Sequence, residues 1–491
     1  MRARHQVRAL YLRNLGATWF LAFRSLRRQV LGLYGSRGLS PIREQLELRA
    51  RYEPRPLRRW TRWPTLLWLG ASDRALVRLC RIGEASGLLL ALGIAPRLSA
   101  LCTWASYLSF VTVGAPFLSY QWDALILEAG LQSAVLAPGT LRLGHARTEP
   151  TQASIWALRW LAARLHFESG IVKLQSGDRT WRKLEAMRYH HATQPLPTPL
   201  GWYANQLPRR AHQLSTAGVL GVELVPPVMA LMPRPLRQIA FTVLVTLQLS
   251  IGISGNYGFF NLLSAQLCLP LLDDDDLRAL TPWRRRSRPR RRLAPAPLSR
   301  EVAEAAVLAP FFVSSADSLL ARFWPHRRPA LLRRVEATLR QFHAVNPYGL
   351  FAVMTTSRPE IVIEGSNDGR TWREFELPYK PVRLNRRPPF AGTHMPRLDW
   401  QLWFAALGMI DDWFLVLMQR LLEGTPEVYA LFGHNPFPAG PPRYVRALLY
   451  DYRMTTFAER RATGRWWTRD RVGILVRPTA LPAGREAPSP P

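Results

Sequence analysis

Lysine is nearly missing from this chain: of 66 basic residues only Lys173, Lys183 and Lys380 are lysine, and arginine makes up the rest. A formal charge of +32 on 491 residues suggests nucleic acid, but the arginines are scattered apart from the run WRRRSRPRRR at 283–292. No helix-turn-helix, zinc-finger or RNA-recognition pattern accompanies them, so no nucleic-acid partner is expected. Cysteine is as scarce. Cys80, Cys102 and Cys268 lie in apolar segments with no CxxC, which excludes a zinc ribbon and a disulfide framework and leaves them as small core residues. Catalytic signatures are missing too: there is no GxSxG elbow, P-loop, HExxH or dinucleotide GxGxxG. Neither a metal nor a cofactor is expected. The basic head Met1 to Arg8 precedes an apolar run broken by arginines and without an A-x-A end, so it reads as a first membrane helix rather than a cleaved signal.

What the chain does have is apolar sequence in blocks. Candidate crossings lie at about 10–34, 75–95, 98–118, 120–137, 153–174, 215–233, 236–254, 257–272 and 302–323. They predict a polytopic α-helical membrane bundle of about eight or nine spans over 1–324. Arginines of short loops stay cytoplasmic. Placing 284–292 inside also places Met1 to Arg8, Arg97, the 142–147 turn and Arg234 to Arg237 inside. The external face then receives the 175–214 loop, the GNYG turn at 255–258 and everything after Trp324. The arginine-rich 35–74 loop dissents, although Trp60, Trp63 and Trp68 suit an interfacial position.

The most informative stretch is 166–208. The segment before it, from Ala153 to Leu174, is long enough to cross a bilayer, which takes about 20 residues. It carries Arg159, His166 and Lys173 at seven-residue spacing, on one helix face. Ionisable groups at membrane depth cost at least ~2.5 kcal/mol each and face a bundle interior or a wet cavity. Asp123 and Glu128 are the carboxylates expected to counter Arg159 or Lys173, and Glu84 follows Arg81 at ion-pair spacing. Beyond the helix, Pro195, Pro197 and Pro199 stiffen an extended loop. Lys173 is a candidate general base with His166 and His190 in support, and at most one of His190 and His191 is expected to join it. Alternatively, Trp181, Tyr189, Trp202 and Tyr203 form with the three prolines a docking surface for an extended chain.

From 324 onward the pattern changes. Residues 343–356, 359–381 and 442–457 read as strands of a soluble β-rich domain, sandwich- or barrel-like, over 325–477. Asn367, Asp368 and Gly369 make a hairpin turn. The apolar stretch 397–424 reads as a buried or membrane-resting helical hairpin inserted in that domain, and 478–491 as a disordered tail.

Several strings carry a resemblance: FESGIVKLQSGDRTW (167–181), ATQPLPTPLGWYANQLP (192–208), ISGNYGFFNLL (253–263), NPYGLFAVMTT (346–356), RPEIVIEGSNDGRTWREFELPYKP (358–381) and PRLDWQLWFAALG (396–408). They are similar to the lipase maturation factor family, from about Gly16 to Trp467. The resemblance implies a polytopic membrane protein, in the endoplasmic reticulum membrane in animals, that helps secreted lipases reach their folded active state. Its implied partners are a secreted client, a lipase-like hydrolase in the family, and membrane lipid. The composition points to a bacterial inner membrane, with the N-terminus cytoplasmic and the C-terminal domain periplasmic. A weaker likeness of the bundle to the vitamin K-dependent carboxylase supports the enzyme alternative, with Lys173 as base on a lipophilic substrate.

Overall fold

The first helix, α1 (His5–Arg27), is laid directly against the next long one, α2 (Asp73–Leu92), because both present glycine at the crossing. A Cβ at Gly16 would lie 2.3 Å from the Ala91 nitrogen and 2.7 Å from the Gly87 carbonyl, so backbone meets backbone. Ser72 caps α2 by accepting from the Ala75 N–H, and Gly93 ends it in the left-handed region at φ +77°. This computed structural model describes residues 3–280, 293–324 and 329–482. The arginine run at 283–292, the expected domain junction near 325 and the end of the expected tail lie outside them.

The remaining long helices are α3 (Pro96–Val111), α4 (Gln121–Leu136) and α5 (Gln152–Gln175). After α5 come the short α6 (Ala186–Thr193) and α7 (Pro199–Asn205), the antiparallel pair α8 (Arg209–Met229) and α9 (Arg234–Ser254), then α10 (Phe260–Gln266) and α11 (Leu298–Leu320). Other helices, among them Ile42–Tyr52 and Ala330–Gln341, carry no label. Every expected crossing falls on a helix. Among the described residues, however, only α9 and α11 are long and apolar enough to cross a membrane by length and composition. α3 and α4 have 16 residues each, and α5 is loaded with ionisable groups.

The C-terminal part is a single open antiparallel sheet in the order β2-β1-β3-β4, neither a sandwich nor a barrel. Its strands are β1 (Pro359–Ser366), β2 (Arg373–Glu374), β3 (Tyr444–Met454) and β4 (Trp467–Thr479). The β1–β2 reversal is the expected one: Gly369 sits at φ +70° and the Asp368 carboxylate accepts from the Arg370 and Thr371 N–H groups. Between β2 and β3 the chain makes the helical hairpin α12 (Arg397–Ala406) and α13 (Asp412–Leu422), turning at Gly408. α12 packs on β1 and buries Leu398, Trp400 and Leu402.

Two expectations about strands fail. Residues 343–356 form no strand, because the bundle's carboxylates take their polar groups: Glu128 accepts from the Asn346 N–H and Glu168 from the Tyr348 N–H. In turn, β4 lies beyond the expected strands and incorporates Pro478 and Thr479 from the segment read as a disordered tail. It is a half-exposed edge strand, registered on β3 through Leu448 and Ile474.

Candidate functional site

The cationic face of α5 points inward throughout: Arg159 and His166 are 2% exposed and Lys173 is 3% exposed. Seven residues are almost two helical turns, so the three side chains stack along one line, against which α8 packs and to which Gln248 of α9 and the Pro270 carbonyl reach. Arg159 donates through Nε to the Pro270 carbonyl at 2.7 Å. His166 Nδ1 faces the Ala162 carbonyl at 2.8 Å, which fixes the ring proton there and leaves Nε2 to accept from Gln248 at 3.0 Å. Lys173 Nζ donates to Glu223 at 2.7 Å and to the Ser169 carbonyl at 2.9 Å. Gly170 makes that pair possible, since a Cβ there would lie 2.9 Å from the Glu223 Cβ.

The expected counter-ions are therefore wrong. Asp123 accepts from Arg397 at 2.6 and 2.7 Å, and Glu128 pairs with Arg164. Glu84 meets Arg27 at 2.7 Å instead of Arg81. In each case a buried or half-buried carboxylate pairs with an arginine of another element, a relation that spacing along one helix does not contain.

Above the inner stripe lies a cavity of about 330 Å³, closed by α5, α6, α8, α9 and the 350–351 segment. Lys173, His166 and His190 all line it, together with Trp181, His191, Gln248, Glu223 and Tyr257. Arg159 does not, lying deeper by two turns. His190 and His191 both line the cavity, and of the two it is His190 whose charge is coupled to Lys173. Tyr257 donates to the Gln194 side-chain Oε1 at 2.9 Å and sits 3.4 Å from His190 Nε2. His191 Nδ1 is buried with no hydrogen-bond partner among the described residues. Among the described residues no three His, Cys, Asp or Glu side chains gather so as to hold a metal ion.

Burial pushes His190 down to about 3, with His191 and Lys173 adding to the effect. It pushes His191 down to about 4, helped by His212. An unfolded histidine takes up its proton near pH 6.5. Between that pH and about 4 the unfolded chain binds more protons than the folded one, so stability falls as pH drops. The expected loss is up to ~1.4 kcal/mol per pH unit for each histidine. Melting curves of the detergent-solubilised protein between pH 7.5 and 4.5 should show this acid slope. A His190→Gln/His191→Gln variant should flatten it.

The aromatic and proline residues do not form an open docking surface. Trp181 is 2% exposed and Trp202 is fully buried, Pro195, Pro197 and Pro199 are buried, and Tyr189 is half-buried. Of the seven, only Tyr203 is exposed. The loop is a clamp: Arg358 donates to the carbonyls of Ala192, Gln194 and Pro195, while Asn256 N–H donates to the Leu196 carbonyl at 2.9 Å. Gly255 leaves room for the Gln194 side chain, since a Cβ there would lie 2.1 Å from its Oε1. Of the two other lysines, Lys183 is exposed and Lys380 is buried against Glu360.

Sequence reasoning missed Arg164, Glu223, Gln248 and Arg358. For Glu223 a signal existed: a lone carboxylate in the apolar run STAGVLGVELVPPVM needs a buried partner. For Arg358, standing at the edge of a strand among many arginines, there was none.

Residues 6–279 match the family model for the lipase maturation factor transmembrane domain, and residues 344–477 match that for the lipase maturation factor C-terminal domain. Lipase maturation factor 2 of Homo sapiens is 35% identical, over 95% of this chain and 81% of its own length. The Gallus gallus form is 32% identical over 95% and 80%. Lipase maturation factor 1 of Homo sapiens is 31% identical over 96% and 88%. No solved structure matches the chain.

Proposed function

This chain belongs to the lipase maturation factor family, and from that premise we propose that it is a membrane-bound maturation factor for a secreted lipase-like hydrolase. The observation that carries the reading is the match to both parts of the family's architecture along nearly the whole chain. In this proposal residues 1–324 form the membrane part, crossing eight or nine times, with the N-terminus in the cytoplasm. The 175–214 loop and the sheet domain face the periplasm of a bacterial inner membrane. Support comes from the distribution of short arginine-rich loops.

The client is met where the loop and the sheet join. Leu200, Tyr203 and Leu207 are exposed there, and the Tyr203 ring lies tilted against that of exposed Phe457 at 6.2 Å. Contiguous exposed apolar groups of this kind mark interaction surfaces. Deleting the gene should cut the specific activity of a secreted lipase, not its synthesis. Wild-type protein should restore it and a Tyr203→Asp/Phe457→Asp variant should not. An unchanged lipase profile in the deletion strain would remove the reading.

Lys173 in this proposal is a paired ammonium, held by Glu223, and not a proton acceptor. Lys173→Arg keeps the charge and the donor, so lipase maturation should stay within about twofold of wild type. Lys173→Met, which strands Glu223 in the bundle, should destabilise the protein by about 3–5 kcal/mol. Thermal unfolding read beside secreted lipase activity checks both.

A further inference from the structure

We propose that the cavity beneath α6 binds a neutral single-chain amphiphile, an acyl chain with an uncharged hydroxyl- or ester-bearing head, admitted from the bilayer between α8 and α9. At about 330 Å³ it lies within the size range of small-molecule pockets. Most of its wall is apolar, with Leu165, Val219, Leu247, Ile251, Phe260 and Phe351 surrounding the space. Of its polar lining, Lys173 and Glu223 bond each other and so do His166 and Gln248, while His190 Nε2 and the Tyr257 hydroxyl stand together 3.4 Å apart. A long greasy body with one polar end matches that division.

The charge pattern selects the head. The charged residues lining the cavity are Lys173 and Glu223, and they neutralise each other at 2.7 Å. An anionic head would have to compete with Glu223, and a cationic one with Lys173. His191 is 7% exposed, and its Nδ1 has no hydrogen-bond partner among the described residues. Buried polar atoms are nearly always hydrogen-bonded, so a hydroxyl or ester oxygen of a ligand fills an evident vacancy in the bonding.

The route in is lateral. α8 and α9 pack tightly near their connecting turn, where Ala230, Ala240 and Leu244 are buried. At their other ends the cavity comes between them, and Leu207, Ser215, Leu247, Ser250 and Ile251 along it are exposed or half-buried. The outer faces of both helices expose Leu214, Val225, Leu249 and Ile253. This entry rests on the membrane placement proposed above. Recovery of the full chain as a detergent-free soluble protein would overturn that placement and leave the binding test standing.

The test uses the full-length protein in detergent and a monoacylglycerol carrying a photoreactive diazirine in its acyl chain. Labelling should map to cavity residues such as Val219, Ile251 and Phe351. Excess 1-oleoylglycerol should compete, and oleate or lysophosphatidylcholine of the same chain length should compete at least tenfold less well. Ile251→Trp fills the space and should cut labelling at least tenfold with an unchanged melting temperature. If that variant fails to fold, Val219→Trp carries the same test from the opposite wall. Labelling confined to the outward positions Leu249 and Ile253 and not competed would mean annular lipid only, and overturns the proposal. Equal competition by oleate overturns the neutral head.

Discussion

Arg397→Leu is expected to cost about 3–5 kcal/mol, the scale for removing one partner of a buried ion pair. Arg397 is the first residue of α12 and lies 1% exposed inside the bundle. Its guanidinium donates to both Asp123 oxygens at 2.6 and 2.7 Å, to the Phe117 carbonyl at 3.0 Å and to the Tyr107 hydroxyl at 3.0 Å. Tyr107 itself donates to Asp123 at 2.6 Å. Without the arginine, Asp123 keeps a single neutral donor at a site no water reaches. The helical hairpin loses its anchor at the same time, although Gln29 still accepts from the Arg397 N–H at 2.8 Å. A marked fall in melting temperature and in the monodisperse fraction after solubilisation is the expected readout. Arg397→Leu/Asp123→Leu should recover part of the loss, because no charge is then stranded. A double variant no better than the sum of the singles would show that the pair is not the source of the effect.

How far the fold could be read from sequence depended on whether the signal was local. The stripe of Arg159, His166 and Lys173 was legible because a helix's own period puts residues seven apart on one face. The partners were not, since Glu223, Gln248 and the Pro270 carbonyl come from other helices that only packing brings near. The β1–β2 hairpin was legible from Asn367, Asp368 and Gly369, whose conformations a tight reversal demands. β4 was not, because Arg469, Arg471 and Gly473 on a half-exposed edge blur the alternation that marks a strand. The stretch around Asn346 and Tyr348 has strand composition, yet the Tyr348 hydroxyl donates to Glu128 at 2.8 Å and the segment is pinned to the bundle. Of the candidate site, the residues were foreseen better than their exposure. Pro195 and Pro197 do lie in the non-helical link after α6, packed between bundle and sheet, but Pro199 opens α7.

That packing gives the sharpest link between stability and function. Arg358 precedes β1, is 2% exposed, and reaches across to the loop after α6. It donates to the carbonyls of Ala192 at 2.7 Å, Gln194 at 2.5 Å and Pro195 at 2.9 Å, pairs with Glu360 at 2.8 Å and stacks 5.1 Å from the Trp467 ring on β4. Only a planar fork with five donors can serve that many acceptors at once. Arg358→Leu should cost about 3–5 kcal/mol, because Glu360 keeps Lys380 but loses its second cation while three buried carbonyls go unpaired. Arg358→Lys is the more informative change: it retains the charge, so the Glu360 pair survives, but one ammonium cannot span three carbonyls and a carboxylate. The lysine variant should fold, show faster proteolysis within 194–208, and mature the secreted lipase to no more than about a tenth of the wild-type level. If it is cut as slowly as wild type and supports full lipase activity, the clamp is scaffolding with no share in client handling. If it is cut faster and still supports full activity, the client face does not need the loop held against the sheet.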